Sequence, residues 1–120
     1  MLQTSYFSSK APRAQKVAIA KYPPRFWSGP RAPRLAPSNP KAEDWAAAYL
    51  RDLEERFPEG AGLAEYLAQI EDQTPGAILC CYEADPQQCH RRILAAYIEK
   101  FLGLTVPEWR PREIEQGNLL

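Results

Sequence analysis

The sequence predicts a single small α/β domain with a small, mostly parallel sheet flanked by helices in three layers, as in Rossmann-like or flavodoxin-like folds. Short β-prone runs precede stretches of helical period, an order typical of α/β sandwiches. The run from Ala77 to Tyr82 is continuously apolar, as in a strand that is buried on both faces. With 120 residues, of which 45% are hydrophobic, the chain is long enough to bury a core.

The first third of the chain predicts two short strands and then a loop. The strands are expected within Leu2–Phe7 and Lys16–Ala20. Residues 22–40 hold six of the twelve prolines together with several arginines, including Arg25 and Arg31. Because proline lacks a backbone donor and fixes φ, we expect a Pro/Arg-rich loop here within the single domain 1–120.

Three helices are expected after this loop. The first is predicted to begin at Asn39-Pro40 and to end before Pro58, and a shorter second helix should carry the apolar stripe from Leu63 to Ile70. The third is predicted to begin at Asp85-Pro86, with Gly103 closing it. Thr105-Val106 follows as a possible last strand.

Charge is divided unevenly along a chain whose formal net charge is zero. Met1–Ala42 carries +8 with no acidic residue, and the remainder carries −8. A basic segment of this kind can attract phosphate or nucleic acid, or it can pack against the acidic helices of its own chain.

Cysteine usage favours a reducing compartment. The three cysteines, Cys80, Cys81 and Cys89, are odd in number and include an adjacent pair, which argues against a secreted disulfide framework. No apolar signal-peptide core follows Met1, and no apolar run reaches membrane-spanning length. We therefore expect a cytoplasmic protein with no membrane partner.

The chemistry-bearing residues cluster around the third strand. Cys81 and Glu83 share one face of that strand because side chains alternate, and Cys89 and His90 are expected in the first turns of the next helix. Ligands of open α/β sheets bind beyond the carboxyl ends of the strands. We therefore expect these four residues to come close together at a functional site.

Several chemistries suit this cluster. Anion binding would use the helix start with Arg91, Arg25 and Arg31 as cationic partners and Cys81 beside them. Catalysis would use Glu83 or His90 as the base and Cys89 as a nucleophile. A structural role is the alternative, since buried cysteine is a common small hydrophobe and a lone histidine is more often structural.

A metal site formed by Cys81, Cys89 and His90 is a third alternative, and we do not expect it. The spacing Cys-x7-Cys-His is not a recognised zinc signature. Adjacent residues on a helix also point about 100° apart, which would separate Cys89 from His90.

The segment Cys81-Tyr82-Glu83, Asp85-Pro86 and Cys89-His90-Arg91 resembles the signature of the bacterial domain-of-unknown-function family 488. Further matching stretches are Thr4–Ser8, Ala18–Ala20 with Tyr22-Pro23-Pro24, Leu35–Ser38 and Glu108-Trp109. The resemblance implies a small cytoplasmic α/β protein and carries over Cys81, Glu83, Cys89, His90 and Arg91 as shared site residues. The chain departs from many members where Lys21–Arg25 replaces an Asp-Val-Arg element.

The sequence thus favours an enzyme or ligand-binding domain for a phosphate-bearing or nucleotide-like anion at the strand-to-helix site around Glu83 and His90. One alternative is a nucleic-acid-binding accessory module that uses the basic segment 10–41, and another is a thiol- or metal-binding protein. The sequence indicates no cofactor, substrate, reaction or oligomeric state.

Overall fold

The protein is described by a computed structural model that covers residues 2–83 and 89–111. Three strands and three α-helices follow the order β1 (Gln3–Tyr6), β2 (Lys16–Ala18), α1 (Trp45–Arg56), α2 (Leu63–Gln73), β3 (Ile78–Cys81) and α3 (Arg91–Leu102). Short 3-10 helices occupy Arg13–Gln15, Pro33–Leu35 and Pro58–Gly60. The α/β fold predicted from the sequence is confirmed.

The sheet is parallel throughout, with β3 at its centre in the order β1-β3-β2. Leu79 pairs with Thr4 on one side and with Val17 on the other. All four residues of β3 are buried, as the continuous apolar run predicts for a strand covered on both faces. The central strand therefore delivers its carboxyl end, at Cys81, into the middle of the molecule.

The predicted alternation of side chains along β3 is confirmed. Leu79 and Cys81 belong to the larger apolar cluster, which contains the buried apolar residues of the three helices. Ile78 and Cys80 belong to a smaller cluster on the opposite face. Free Cys80 is buried there, and burial raises the pKa of its thiol to about 12.

The layer opposite the helices is built from loops among the described residues, whereas the sequence predicted helices there. Phe7, Ala11 and Trp27 cover that face, and Trp109 packs against them. The physical reason is connection length. The link between β1 and β2 is too short to hold an α-helix, and the proline-rich loop cannot form one.

The start of α1 differs from the prediction, and so does the position of Cys89 and His90 relative to α3. Asn39 and Pro40 lie in a turn closed by the Ala42 amide donating to the Asn39 carbonyl, and α1 begins only at Trp45, with Asp44 at its N-cap position. The predicted start at Asp85-Pro86 lies outside the described residues. Helix α3 begins at Arg91, so Cys89 and His90 precede it instead of lying inside it. Gly103 closes α3 in the left-handed conformation, as predicted.

Both edges of the sheet end in a single extra bridge. At the β1 edge, Thr4 donates to the Pro107 carbonyl at 2.9 Å and accepts from the Trp109 amide at 2.7 Å. At the β2 edge, Ala18 makes the equivalent pair of bonds with Pro30 and Ala32. The predicted strand at Thr105-Val106 is wrong, because among the described residues after α3 only Glu108 bridges to β1.

None of the described helices combines the length and the apolar character that crossing a bilayer requires.

Candidate functional site

A cavity of about 460 Å³ lies beyond the carboxyl ends of β2 and β3. This is the position that open parallel sheets use for ligands, and the volume lies in the usual range for small-molecule sites. Its walls come from both strand ends, from the proline-rich loop, from α1 and from the residues before α3. The lining residues are Ala20, Lys21, Tyr22, Pro37, Pro40, Lys41, Trp45, Cys81, Tyr82, Glu83, Cys89 and His90.

Cys81 and Cys89 meet at the floor of this cavity, and their sulfur atoms are joined as a disulfide. Cys81 arrives from the end of β3, and Cys89 arrives two residues before α3 begins. Their Cα atoms are 6.9 Å apart, and both residues are buried. The sequence predicted that these two residues approach each other, but it did not predict this covalent pairing.

His90 is held in one orientation beside the cysteines. Its Nε2 lies 2.6 Å from the Ile19 carbonyl oxygen. A carbonyl can only accept, so Nε2 carries the proton and Nδ1 presents its lone pair. Nδ1 lies 3.7 Å from the Cys89 sulfur, and the Tyr49 ring packs edge-on against the imidazole. Burial lowers the pKa of His90 to about 4, so the ring is neutral at physiological pH.

Arg91 supports the cluster from behind. Its side chain is fully buried, and its Nε and Nη2 donate to the two carboxylate oxygens of Glu108 at 2.7 and 3.1 Å. Nη1 donates to the Cys81 sulfur at 3.1 Å and also to the Glu83 carbonyl. The guanidinium thus joins the end of β3, the start of α3 and the bridge that follows α3.

The structure places the other predicted residues in different ways. The exposed Glu83 lines the same cavity as Cys81, Cys89 and His90. Arg25 is exposed and lines neither of the two cavities described, whereas Arg31 lines a neighbouring cavity of about 300 Å³. Arg91 faces the sulfur atoms from the protein interior and is absent from the cavity lining. The roles predicted for these residues remain predictions.

Sequence reasoning missed several residues of this region. Lys21 and Lys41 bring positive charge to the cavity, and Trp45 brings aromatic surface beside Tyr22. Tyr82 ends the apolar run that the sequence predicts to be buried, yet it is 51% exposed and forms part of the cavity wall. Glu108 was noted only as part of the family resemblance. Its pairing with Arg91 spans 17 positions and leaves no local pattern in the sequence.

The arrangement supports three kinds of chemistry. Two sulfur atoms can cycle between dithiol and disulfide. A thiol beside an imidazole acceptor can act as a nucleophile. Finally, Cys81, Cys89 and His90 offer two sulfur atoms and one imidazole nitrogen that all lie within 4.8 Å of one another. The sequence-based objection to a shared centre disappears, because Cys89 and His90 lie before the helix and are not constrained to point apart.

Comparison with known proteins connects this geometry to one family. The family model described as "Domain of unknown function DUF488" matches residues 12–98, which include all three strongly clustered residues Cys81, Cys89 and His90. No curated protein and no solved structure matches the chain significantly. Since the match extends over well more than half of the sequence, the chain belongs to the domain-of-unknown-function family DUF488.

Proposed function

We propose that the protein is an enzyme or ligand-binding domain for a small, nucleotide-like anion, which occupies the cavity beyond β2 and β3. The observation that carries this proposal is the composition of the cavity wall. Two lysines, three aromatic side chains and the cluster of Cys81, Cys89 and His90 surround one space of about 460 Å³. Ligand sites typically combine apolar walls with a few convergent polar groups in this way.

The cationic part of the wall comes from Lys21 and Lys41. Both side chains belong to exposed residues, and Lys21 donates to the Ser38 carbonyl at 2.7 Å, which holds its ammonium group near the cavity. A phosphate or carboxylate that enters the cavity would meet these charges at the solvent side. They replace Arg25 and Arg31 as the cationic partners that we propose for an anion.

The aromatic part of the wall comes from Tyr22, Trp45 and Tyr82. Aromatic faces stack favourably on the flat rings of nucleobases. Tyr22 and Tyr82 are exposed, and the Tyr82 hydroxyl donates to the Tyr22 carbonyl, which fixes the two segments relative to each other. A ligand with a planar ring at one end and an anionic group at the other matches both parts of the wall.

The reactive part of the site is the floor. Cys89, His90 and Glu83 are the proposed catalytic residues, because all three line the cavity where the ligand would sit. Cys81 completes the floor next to Cys89. Arg91 is proposed as a positioning residue, since it contacts the Cys81 sulfur and not the cavity.

Nucleic-acid binding by the basic segment 10–41 is less well supported by the contacts of its cations. Lys16 is buried and donates to the carbonyls of Phe7 and Ser9. Arg34 donates to the Arg56 carbonyl and lies over the ring of Phe57. Because both cations already have partners within the chain, the segment offers fewer free cations to a polyanion than its sequence suggests.

The test is ligand binding measured with matched variants. Thermal shift followed by calorimetry, with nucleoside mono-, di- and triphosphates and with inorganic phosphate, should identify a nucleotide that binds the wild-type protein. The double variant Lys21→Ala/Lys41→Ala should lose most of this affinity. Lys10→Ala is the control, because Lys10 is an exposed lysine of the same basic segment that lines neither cavity.

Two results would contradict the proposal. One is the absence of any binding at millimolar nucleotide or phosphate. The other is affinity that falls equally in the Lys10 control and in the cavity variant, which would indicate a diffuse charge effect. Tight, steeply salt-dependent binding of a single-stranded oligonucleotide, weakened by Arg25→Ala and Arg31→Ala, would favour the nucleic-acid function instead.

A further inference from the structure

We propose that Cys81, Cys89 and His90 form a Zn²⁺ site with an open coordination position facing the cavity. The proposal deepens the chemistry at the floor of the proposed ligand site but stands on separate observations. The ligand atoms of the three residues all lie within 4.8 Å of one another, and all three residues line the cavity. Two thiolates and one imidazole are a preferred donor set for zinc.

The coordination number indicates the kind of zinc site. Structural zinc is usually held by four protein ligands, whereas catalytic zinc has three and leaves the fourth position to water or substrate. Among the described residues, the metal-binding group contains three members. The fourth position would open into the space where the proposed anionic ligand sits, so a bound ion could contact that ligand directly.

The backbone spacing suits an ion between the two cysteines. The Cα atoms of Cys81 and Cys89 are 6.9 Å apart. This separation lies at the upper end of what disulfide-bonded pairs span, about 4.4–6.8 Å between Cα atoms, so it is compatible with either state of the pair. Two sulfurs on one tetrahedral zinc, each about 2.3 Å from the ion, lie about 3.8 Å apart. Zinc binding requires both thiols in the reduced form, so the ion and the disulfide are alternative states of the same pair.

The contacts behind the ligands are those that zinc sites use. A ligating histidine usually donates its second ring N–H to a carbonyl or carboxylate, which fixes the other nitrogen on the metal. His90 does this through the Ile19 carbonyl at 2.6 Å, leaving Nδ1 beside the Cys89 sulfur. Arg91 donates to the Cys81 sulfur at 3.1 Å and would stabilise its thiolate.

The charge balance also favours a divalent ion in this buried place. Two thiolates and a neutral imidazole around Zn²⁺ have no net charge. The nearby Arg91 cation is already balanced by Glu108, whose carboxylate lies 2.7 Å from its Nε. A neutral centre avoids the large desolvation penalty of an isolated buried charge.

The experiment uses the full chain, reduced with a phosphine that does not chelate metals. Zn²⁺ is titrated in competition with a chromophoric chelator, and Co²⁺ serves as a spectroscopic probe of thiolate coordination. We expect one equivalent to bind, with sulfur-to-cobalt charge-transfer absorption. Because both thiols must deprotonate, uptake should release up to about two protons per ion near neutral pH.

Variants separate the site from the rest of the chain. Cys89→Ser and His90→Gln should each weaken Zn²⁺ binding by more than about 100-fold, beyond the about 10- to 100-fold effect of losing an outer-shell partner. Cys80→Ala should bind like wild type, because Cys80 is adjacent in sequence but points to the opposite face of β3. Circular dichroism shows whether each variant is folded.

Two outcomes would overturn the zinc site: no saturable binding by the reduced wild-type chain, or folded Cys89→Ser and His90→Gln variants that bind as tightly as wild type. If either variant fails to fold, the Co²⁺ spectrum of the wild type decides, since a spectrum without sulfur coordination excludes the site. Lys21→Ala/Lys41→Ala should retain full zinc affinity. Failure of the anion proposal would therefore leave the zinc result unchanged.

Discussion

The buried ion pair between Arg91 and Glu108 gives the sharpest test of how this site is held together. Replacing Glu108 by Gln removes the negative charge while keeping the shape and one amide oxygen. The Arg91 side chain is fully buried, and Glu108 is 18% exposed in its side chain. The change therefore removes the carboxylate charge that pairs with a buried guanidinium, while the shape of the pair is kept.

The expected loss follows from this burial. Removing one partner of a fully buried ion pair typically destabilises a protein by about 3–5 kcal/mol. The partial exposure of Glu108 lets water solvate the site, and the Gln oxygen can still accept one of the bonds at 2.7 and 3.1 Å. We therefore expect Glu108→Gln to lower the free energy of unfolding by about 2–3 kcal/mol.

The assay is urea unfolding followed by tryptophan fluorescence, with all variants in one reducing buffer. Asp44→Asn is the matched control, because Asp44 and Arg51 form an ion pair at 3.1 Å whose side chains are 61–62% exposed. Since exposed pairs contribute little, this variant should unfold close to wild type. If the Glu108→Gln and Asp44→Asn variants unfold at the same urea midpoint, the reasoning is refuted. The buried Arg91 would then not depend on the Glu108 carboxylate for its stability.

Three further predictions concern the buried groups around the site and the helix connections. In the metal-free protein, the pKa of His90 of about 4 lies below its usual 6.5, so the unfolded state binds more protons between these values. Stability should therefore fall by about 3 kcal/mol as the pH drops from 7 to 4, and His90→Gln should flatten this dependence, as measured by urea unfolding. The pKa of the Cys80 thiol is raised to about 12, so Cys80 should be the slowest of the three reduced cysteines to react with iodoacetamide at pH 8. Mass spectrometry measures the labelling, and the difference should disappear in the urea-unfolded protein. Gly60→Ala should destabilise the protein more than Gly62→Ala. Both glycines have a positive φ, but only a Cβ added at Gly60 would meet another atom, Phe101 Cβ at 2.6 Å. Equal thermal unfolding midpoints of the two variants would contradict this prediction.

Local patterns predicted the parts of the fold that local physics determines. The stripe from Leu63 to Ile70 predicted α2, because a helix buried on one face repeats its apolar residues every three or four positions. The continuous apolar run predicted β3, because a strand buried on both faces is apolar at every position. The start of α1 was predicted too early. Asn39-Pro40 has the composition of a helix start, but the chain uses it for a turn, and only Trp45 begins the helix.

The candidate site was predictable in its centre and not in its surroundings. Cys81, Glu83, Cys89 and His90 lie close in sequence around one strand end, so topology alone brings them to one cavity. Lys21 and Trp45 reach the same cavity from other segments, and Glu108 reaches Arg91 from beyond α3. These contacts depend on how distant segments pack, and no periodicity or spacing records them.

The two edges of the sheet affect whether copies of this protein can associate by pairing their strands. An open border of a parallel sheet is a template on which another chain can add a strand. Among the described residues, a single bridged residue lies outermost on each side, Arg31 and Glu108, and each directly follows a proline. An edge only one residue long, next to a proline, offers an incoming strand almost no ladder to extend. Edge-to-edge strand pairing between molecules should therefore be disfavoured. This should reduce aggregation through the sheet when the protein is concentrated.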